Sequence, residues 1–323
     1  MLLQVDNAAA LQAVDPAFRT DVLDGLGRFP KAIPARWFYD HRGSELFEEI
    51  TQLPEYYPTR TERAILGAAA PEIAALTGPG RTVVEFGSGS SAKTPILLSA
   101  VSPSAYVPID ISGAFLRESC AELAKLFPTL PILPVEGDFT QPLALPAGSA
   151  PRLGFFPGST LGNLLAPAAV DLLRAMAGTL GPNAQLLIGL DRLKAPEVLI
   201  PAYDDAQGVT AAFNLNLLHR INRELDGDID VEAFEHRAIW NDQECRIEMH
   251  LVAKEARAAR VAGRVFIFSE GDTIHTENSL KYGPREARLL LRAGGWSPMA
   301  EWTDPDGAFA VILAKAGSSA PAP

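Results

Sequence analysis

Between residues 82 and 191, short apolar runs recur at a regular interval, each followed by a stretch with helical spacing. The runs occupy 82–86, 105–110, 130–135, 153–156 and 184–190. They are of strand length, and their nearly unbroken apolar character predicts burial on both faces. Candidate helices at 113–127 and 167–179 lie between them, the second carrying Ala169, Leu172, Leu173 and Met176 on one side. Strands alternating with helices predict an α/β fold with a parallel, doubly wound sheet.

After Asp191 the pattern breaks. Residues 201–230 are rich in Asp, Asn and aromatics, and 235–253 and 264–269 alternate as antiparallel strands do. From Pro284 the first pattern resumes. A helical stretch at 285–293 leads through Gly294, Gly295 and Trp296 to runs at 299–302 and 308–314, split by the turn Asp304-Pro305-Asp306-Gly307. That is a helix and a C-terminal antiparallel hairpin closing the sheet. The simplest arrangement is a core of 61–194 plus 283–317, and a second α+β lobe of 1–60 plus the insertion 195–282. The low-complexity tail 318–323 reads as disordered, and no internal repeat is visible.

Composition narrows the class. The 323 residues are 47% hydrophobic, enough for a large core. Twenty-eight basic against 39 acidic residues give a net charge of −11, which argues against nucleic-acid binding. Cys120 and Cys245 alone cannot build a disulfide framework or a four-thiolate zinc site, and they suit a reducing cytoplasm. Asp6 and Asp15 precede the first basic residue, Arg19, unlike a signal peptide. No apolar run approaches the ~18 residues of a spanning helix. His41, His219, His236, His250 and His275 show no ligand spacing with cysteine or carboxylates, so no metal is expected. The expectation is a cytoplasmic monomer without membrane or nucleic-acid partners.

The chemistry concentrates at 83–94, VVEFGSGSSAKT, a buried strand entering a glycine-rich turn and then a helix. Such a turn brings backbone N–H groups close to a ligand at the carboxyl edge of the sheet. Three readings compete. A P-loop would run from Gly87 to Lys93 and Thr94, with Asp191 on the magnesium side, but Ala92 replaces a required glycine. A dinucleotide turn survives on spacing, with Ala92 at the third glycine position. An S-adenosylmethionine site would use Glu85 before the turn, and Asp110 and Asp138 at the ends of the next two strands. Three acids suit a sulfonium and an adenosine better than a polyphosphate, although each could equally cap a helix.

Motifs outside the turn carry a resemblance. Trp37-Phe-Tyr-Asp40, Ser44-Glu-Leu-Phe-Glu-Glu-Ile50, Pro54-Glu-Tyr-Tyr-Pro-Thr-Arg60, Glu85-Phe-Gly-Ser-Gly-Ser90, Phe156-Pro-Gly-Ser-Thr-Leu-Gly-Asn163 and Ala202-Tyr-Asp-Asp205 span nearly the whole chain. Together they resemble the histidine-specific methyltransferase family, the Nα-methyltransferases that make hercynine in ergothioneine biosynthesis. The resemblance implies a class I, Rossmann-like methyltransferase core binding S-adenosylmethionine, and a second lobe taking L-histidine and its mono- and dimethyl intermediates. By motif, it places Gly87, Lys93, Asp110 and Asp138 on the cofactor, with Glu85 and Gly89 in the same turn. It places Tyr56, Gly158, Asn163, Tyr203, Phe213, Met249, Glu277 and Ser279 in the histidine pocket, with Tyr39 nearby. The residue types fit. Asn163 and Tyr203 can donate to a carboxylate, and Glu277 and Ser279 can pair with two ring nitrogens. The attacking amine must shed a proton, which Tyr39 or Tyr56 could relay. A methyltransferase of the same fold acting on another amino acid, such as tryptophan, and a P-loop nucleotide-binding protein remain as alternatives.

Overall fold

The computed structural model describes residues 15–89, 93–141 and 143–317. The tail 318–323 and the turn residues 90–92 lie outside them. Helix α1 (Pro16–Gly27) starts with Pro at its first position and an Asp15 carboxylate accepting from the Ala17 N–H at 2.8 Å. Next come β1 (Lys31–Ala32), α2 (His41–Thr51) and α3 (Tyr57–Thr77). The alternating region then folds as β2 (Thr82–Phe86), α4 (Thr94–Val101), β3 (Ala105–Asp110), α5 (Gly113–Leu126), β4 (Val135–Glu136), β5 (Arg152–Phe156), α6 (Ala166–Leu180) and β6 (Gln185–Asp191). The insertion contains α7 (Pro196–Leu199), α8 (Val209–Glu224), β7 (Phe234–Asn241), β8 (Arg246–Ala253), β9 (Arg257–Val261), β10 (Arg264–Phe268) and β11 (Thr273–Leu280). The chain closes with α9 (Pro284–Ala293), β12 (Trp296–Thr303) and β13 (Phe309–Ala316).

Seven strands form one sheet in the order β12-β13-β6-β5-β2-β3-β4. The pairs among β2 to β6 are parallel, and β13 runs antiparallel to both β6 and β12. This is the doubly wound sheet with a closing hairpin that the pattern predicts. Every residue of β6 is buried, as an unbroken apolar run requires. From β2 the chain steps outward through β3 to β4 and returns on the other side of β2 as β5. The carboxyl ends of β2 and β5 therefore flank a topological switch point, the place where such sheets open a crevice.

One expectation needs correction, and one stretch left unassigned proves regular. The run at 130–135 contributes only Val135 to strand β4, plus one isolated bridge between Tyr106 and Ile132. Pro131 and Pro134 have no N–H to give a ladder. Residues 201–230 contain the sixteen-residue helix α8, whose buried Phe213, Leu217, Leu218 and Ile221 recur at helical spacing.

The second lobe is a sheet ordered β1-β11-β8-β7 with the β9–β10 hairpin beside it. Its apolar cluster joins Phe18, Val22 and Leu26 of α1, Leu46 and Ile50 of α2, Phe213 and Leu217 of α8, and Ile247, Leu251 and Ile274 of the sheet. Two further clusters cover the faces of the seven-stranded sheet. Helix α3 enters both territories: Tyr57 belongs to the lobe's cluster, and Ile65, Leu66 and Ile73 to one beneath the large sheet. Among the described residues no helix is long and apolar enough to cross a membrane.

Candidate active site

A cavity of about 800 Å³ opens at the switch point, lined by residues of both sheets. That volume suits a small-molecule site. On its core wall, β2 ends in Gly87, whose φ of +72° and close approach to the Phe139 ring leave no room for a side chain. The Gly89 N–H donates to Asp110 Oδ2 at 2.9 Å, and the Ser112 N–H to Oδ1 at 2.9 Å. Asp110 thus holds the turn in shape while lining the cavity. Burial raises its pKa and the backbone donors pull it back down.

Glu85 also lines the cavity, but its Oε2 accepts from Thr94 Oγ1 at 2.7 Å and Tyr106 Oη at 2.6 Å. It ties β2 to the start of α4 and to β3. Burial lifts its carboxyl to about 7 despite those donors. Asp138 accepts from Thr140 through Oδ1 and pairs through Oδ2 with Arg36 at 2.7 Å. Arg36 reaches it from the second lobe and also grips Asp21 at 2.7 Å. Sequence reasoning passed over Arg36, although it immediately precedes the Trp37 motif.

Lys93 lines the cavity with its Nζ 2.6 Å from Glu62 Oε2. Glu62, fully buried in α3, also accepts from the Gly158 N–H at 2.8 Å. A Cβ on Gly189 would stand 1.9 Å from Glu62 Oε1, so β6 carries glycine where this carboxylate lies across it. Glu62 was not singled out from sequence either; its signal is an acid on the buried face of a helix. The P-loop alternative fares poorly here. Its lysine is neutralised by Glu62, and Glu85, Asp110 and Asp138 surround the space a triphosphate would need. Its magnesium-side Asp191 is buried behind the wall and holds two lysines, Lys194 at 2.6 Å and Lys281 at 2.7 Å.

Tyr39, Tyr56 and Glu277 of the second lobe line the same cavity, together with Gly158 and Asn163 beyond the end of β5. Tyr203, Phe213, Met249 and Ser279 lie buried behind that lining. Phe213 backs Tyr39, ring centroids 5.8 Å apart, and Met249 faces Glu277 across the β8–β11 pair. Tyr203 stands edge-on to Tyr56 at 6.2 Å, with its hydroxyl 2.6 Å from Ser279 Oγ. Asn163 sits on the turn Thr160–Asn163, which abuts β11: a Cβ on Gly162 would meet Leu280 O at 2.9 Å. Burial raises Glu277 to about 7, with Lys281 pulling the other way. Burial likewise holds Tyr39 and Tyr56 well above 10, so both stay protonated near neutrality.

The histidines also depart from expectation. Glu248, His250 and His275 present groups of metal-ligand type within 4.8 Å of one another. Glu248 and His250 project from one face of β8, and His275 pairs with His250 across β11, a register that chain spacing does not reveal. The two rings stack at 4.8 Å and 20°, so their in-plane lone pairs run side by side rather than converging. Glu248 Oε2 already faces His250 Nε2 at 3.1 Å, and Oε1 accepts from Arg246 and Asn241.

Comparison with known proteins agrees with this geometry. Residues 18–316 match the family model described as histidine-specific methyltransferase, SAM-dependent. The chain is 43% identical to histidine N-alpha-methyltransferase of Mycolicibacterium smegmatis, over 97% of this chain and 99% of that one. It is 42% identical to histidine N-alpha-methyltransferase of Mycobacterium tuberculosis over the same shares. Against ergothioneine biosynthesis protein 1 of Neurospora crassa it is 31% identical over 85% of this chain and 32% of that longer protein. With the glycine turn, the Asp110 carboxylate and the second-lobe wall gathered on one cavity, the chain belongs to the histidine-specific, S-adenosylmethionine-dependent methyltransferase family.

Proposed function

We propose that this chain transfers three methyl groups in succession to the α-amine of L-histidine, giving hercynine, in ergothioneine biosynthesis. One observation carries the reading: the glycine turn with Asp110, and Tyr56, Asn163 and Glu277, line a single cavity. Bound there, S-adenosylmethionine supplies an electrophilic methyl group on a sulfonium centre. Asp110 is placed to accept from ribose hydroxyls, and Lys93, paired with Glu62, lines the same end of the cavity. The core 61–194 plus 283–317 then holds the cofactor, and the lobe 1–60 plus 195–282 holds the amino acid.

Asn163 donates to the substrate carboxylate. Glu277, with a carboxyl titrating near 7, holds the imidazole as donor or acceptor. An indole in place of the imidazole would set an apolar ring edge against this buried acid, which disfavours the tryptophan alternative. Tyr39 or Tyr56, each lining the cavity and protonated near neutrality, relays the amine's proton to water in the cavity. Most of the catalysis is orientation, holding a neutral amine in line with the methyl carbon. Both walls of the cavity come from one chain, which fits a monomer. Incubating the protein with L-histidine and S-adenosylmethionine and weighing the product tests the reading: masses for one, two and three added methyls are expected. A product mass unchanged from histidine sinks it.

A further inference from the structure

Behind the substrate wall lies a buried polar cluster that none of the roles above uses. Lys281 is 3% exposed, and its ammonium donates three hydrogen bonds, to Asp191 at 2.7 Å, Tyr203 Oη at 2.8 Å and Ser279 Oγ at 2.8 Å. An ammonium has three N–H groups, so all are committed. Asp191 is shared with Tyr57, which donates at 2.6 Å, and with Lys194. Two lysines share this one buried carboxylate, with Glu277 the next acid beside Lys281 and Asp304 beside Lys194.

Proton counting on the hydroxyls sets what this cluster can receive. Tyr203 and Ser279 each accept from Lys281 and lie 2.6 Å apart, so one of them donates to the other. Of their two hydroxyl protons, one is consumed in that bond and one is left to donate elsewhere. The pair therefore presents a single donor backed by a cation, a combination that matches an anion. Its position matches as well. Glu277 and Ser279 lie on one side of β11, with Glu277 on the cavity and Lys281 just past the strand's end, and the Asn163 turn abuts the strand at Leu280. Tyr203 packs against Tyr56, which lines the cavity.

We propose that Lys281 is a specificity-determining positioning residue: anchored by Asp191, it commits the Tyr203–Ser279 hydroxyl pair to donating toward the free α-carboxylate of the amino-acid substrate, so that the site selects α-amino acids over the corresponding amines. The proposal rests on histidine being the substrate. It also sets proton directions for the pairing expected from sequence, because Tyr203 and Ser279 cannot both offer a free proton. When Tyr203 donates to the carboxylate, Ser279 is left as an acceptor.

The test compares L-histidine with histamine, which lacks only the carboxylate, in wild-type protein and in Lys281→Met. Binding of each to the S-adenosylhomocysteine complex is measured by calorimetry, and methyl transfer by product mass. Wild type should prefer histidine by at least a hundredfold in kcat/KM. Lys281→Met should lose tenfold or more of that preference through a higher KM for histidine, while S-adenosylhomocysteine affinity stays within twofold. Asp191 keeps Tyr57 and Lys194 in this variant. Should it not fold, the double variant Asp191→Asn with Lys281→Gln removes both charges and must show the same loss. A folded variant with an unchanged histidine-to-histamine ratio overturns the role of Lys281 alone. Wild type that neither binds nor methylates histidine overturns the substrate assignment and this proposal together.

Discussion

Replacing Glu277 by glutamine should make the ligand-free protein more stable at alkaline pH and leave it nearly unchanged at pH 5. In the unfolded chain this carboxyl titrates near 4.5; buried in the fold it titrates near 7. The folded state thus holds its proton more tightly, and between those two values rising pH costs stability, because only the folded chain must still give the proton up. Each pH unit between the two titrations is worth ~1.4 kcal/mol, so an ionised Glu277 costs the fold about 3 kcal/mol above pH 7. Glutamine has the shape of the protonated acid and cannot ionise. Any constant cost of the amide appears at both pH values, so the difference between them isolates the charge. Glu85, also titrating near 7, remains in both proteins and cancels. The unfolded carboxyl is already largely ionised at pH 5, so about 2.5 kcal/mol of that cost falls between pH 5 and pH 8; at roughly 2 °C per kcal/mol for a chain of this size, the gain in Tm across that interval should be about 5 °C in favour of Glu277→Gln. Thermal unfolding of both proteins without ligands, followed by circular dichroism at the two pH values, measures it. An offset that is the same at pH 5 and pH 8 would refute a strained, buried carboxyl at this position. The same variant should bind histidine more weakly, placing stability and function in opposition at one residue.

Other perturbations probe the remaining parts of the site. Asp110→Ala should lower S-adenosylhomocysteine affinity roughly tenfold to a hundredfold, because the ribose loses a charge-assisted acceptor and the turn loses its anchor at Gly89 and Ser112. Calorimetric titration decides, and a folded variant with wild-type affinity removes Asp110 from the cofactor site. Gly189→Ala drives a methyl group into the Glu62 carboxylate and should cost about 1–3 kcal/mol of stability while loosening Lys93 and Gly158. Unaltered Tm and cofactor affinity would show that Glu62 has another place to go. The kcat/KM for histidine should rise from pH 6 to pH 9, since a peptide α-amine titrates at ~7.7–8.0 and a neighbouring sulfonium pushes it lower. A flat profile, or activity abolished by a chelator and restored by a divalent ion, contradicts amine deprotonation at a metal-free site.

The large sheet was legible because its strands are buried on both faces and therefore read as unbroken apolar runs. Where two prolines interrupt such a run, at 130–135, the hydrophobicity persisted but the ladder did not. The second lobe was harder for the opposite reason. Strand β11 forms part of the wall of the site, so Glu277 and Ser279 place polar groups where a core strand would place apolar ones, and the bulge between His275 and Glu277 breaks the alternation. Helix α8 hides its period behind the buried Asn214 and Asn216, which hydrogen-bond to His236 and Asp40 in other elements. Tyr39, Tyr56, Gly158, Asn163, Glu277 and the cofactor-side residues could be named from motifs and reach the cavity. Arg36, Glu62 and Lys281 could not, because each matters through a partner distant in the chain, Asp138, Gly158 and Asp191 respectively.

Helix α3 has a consequence for how the molecule comes apart. Its 21 residues make a rod about 30 Å long. The first turn is rooted in one apolar cluster and the later turns in another, with Glu62 clamped between them to Lys93 and Gly158. Melting either cluster strips one end of the rod of its packing, and a helix losing an anchor frays toward the other. The shared helix therefore ties the two apolar clusters together, so that loosening of the second lobe is transmitted to the base of the large sheet.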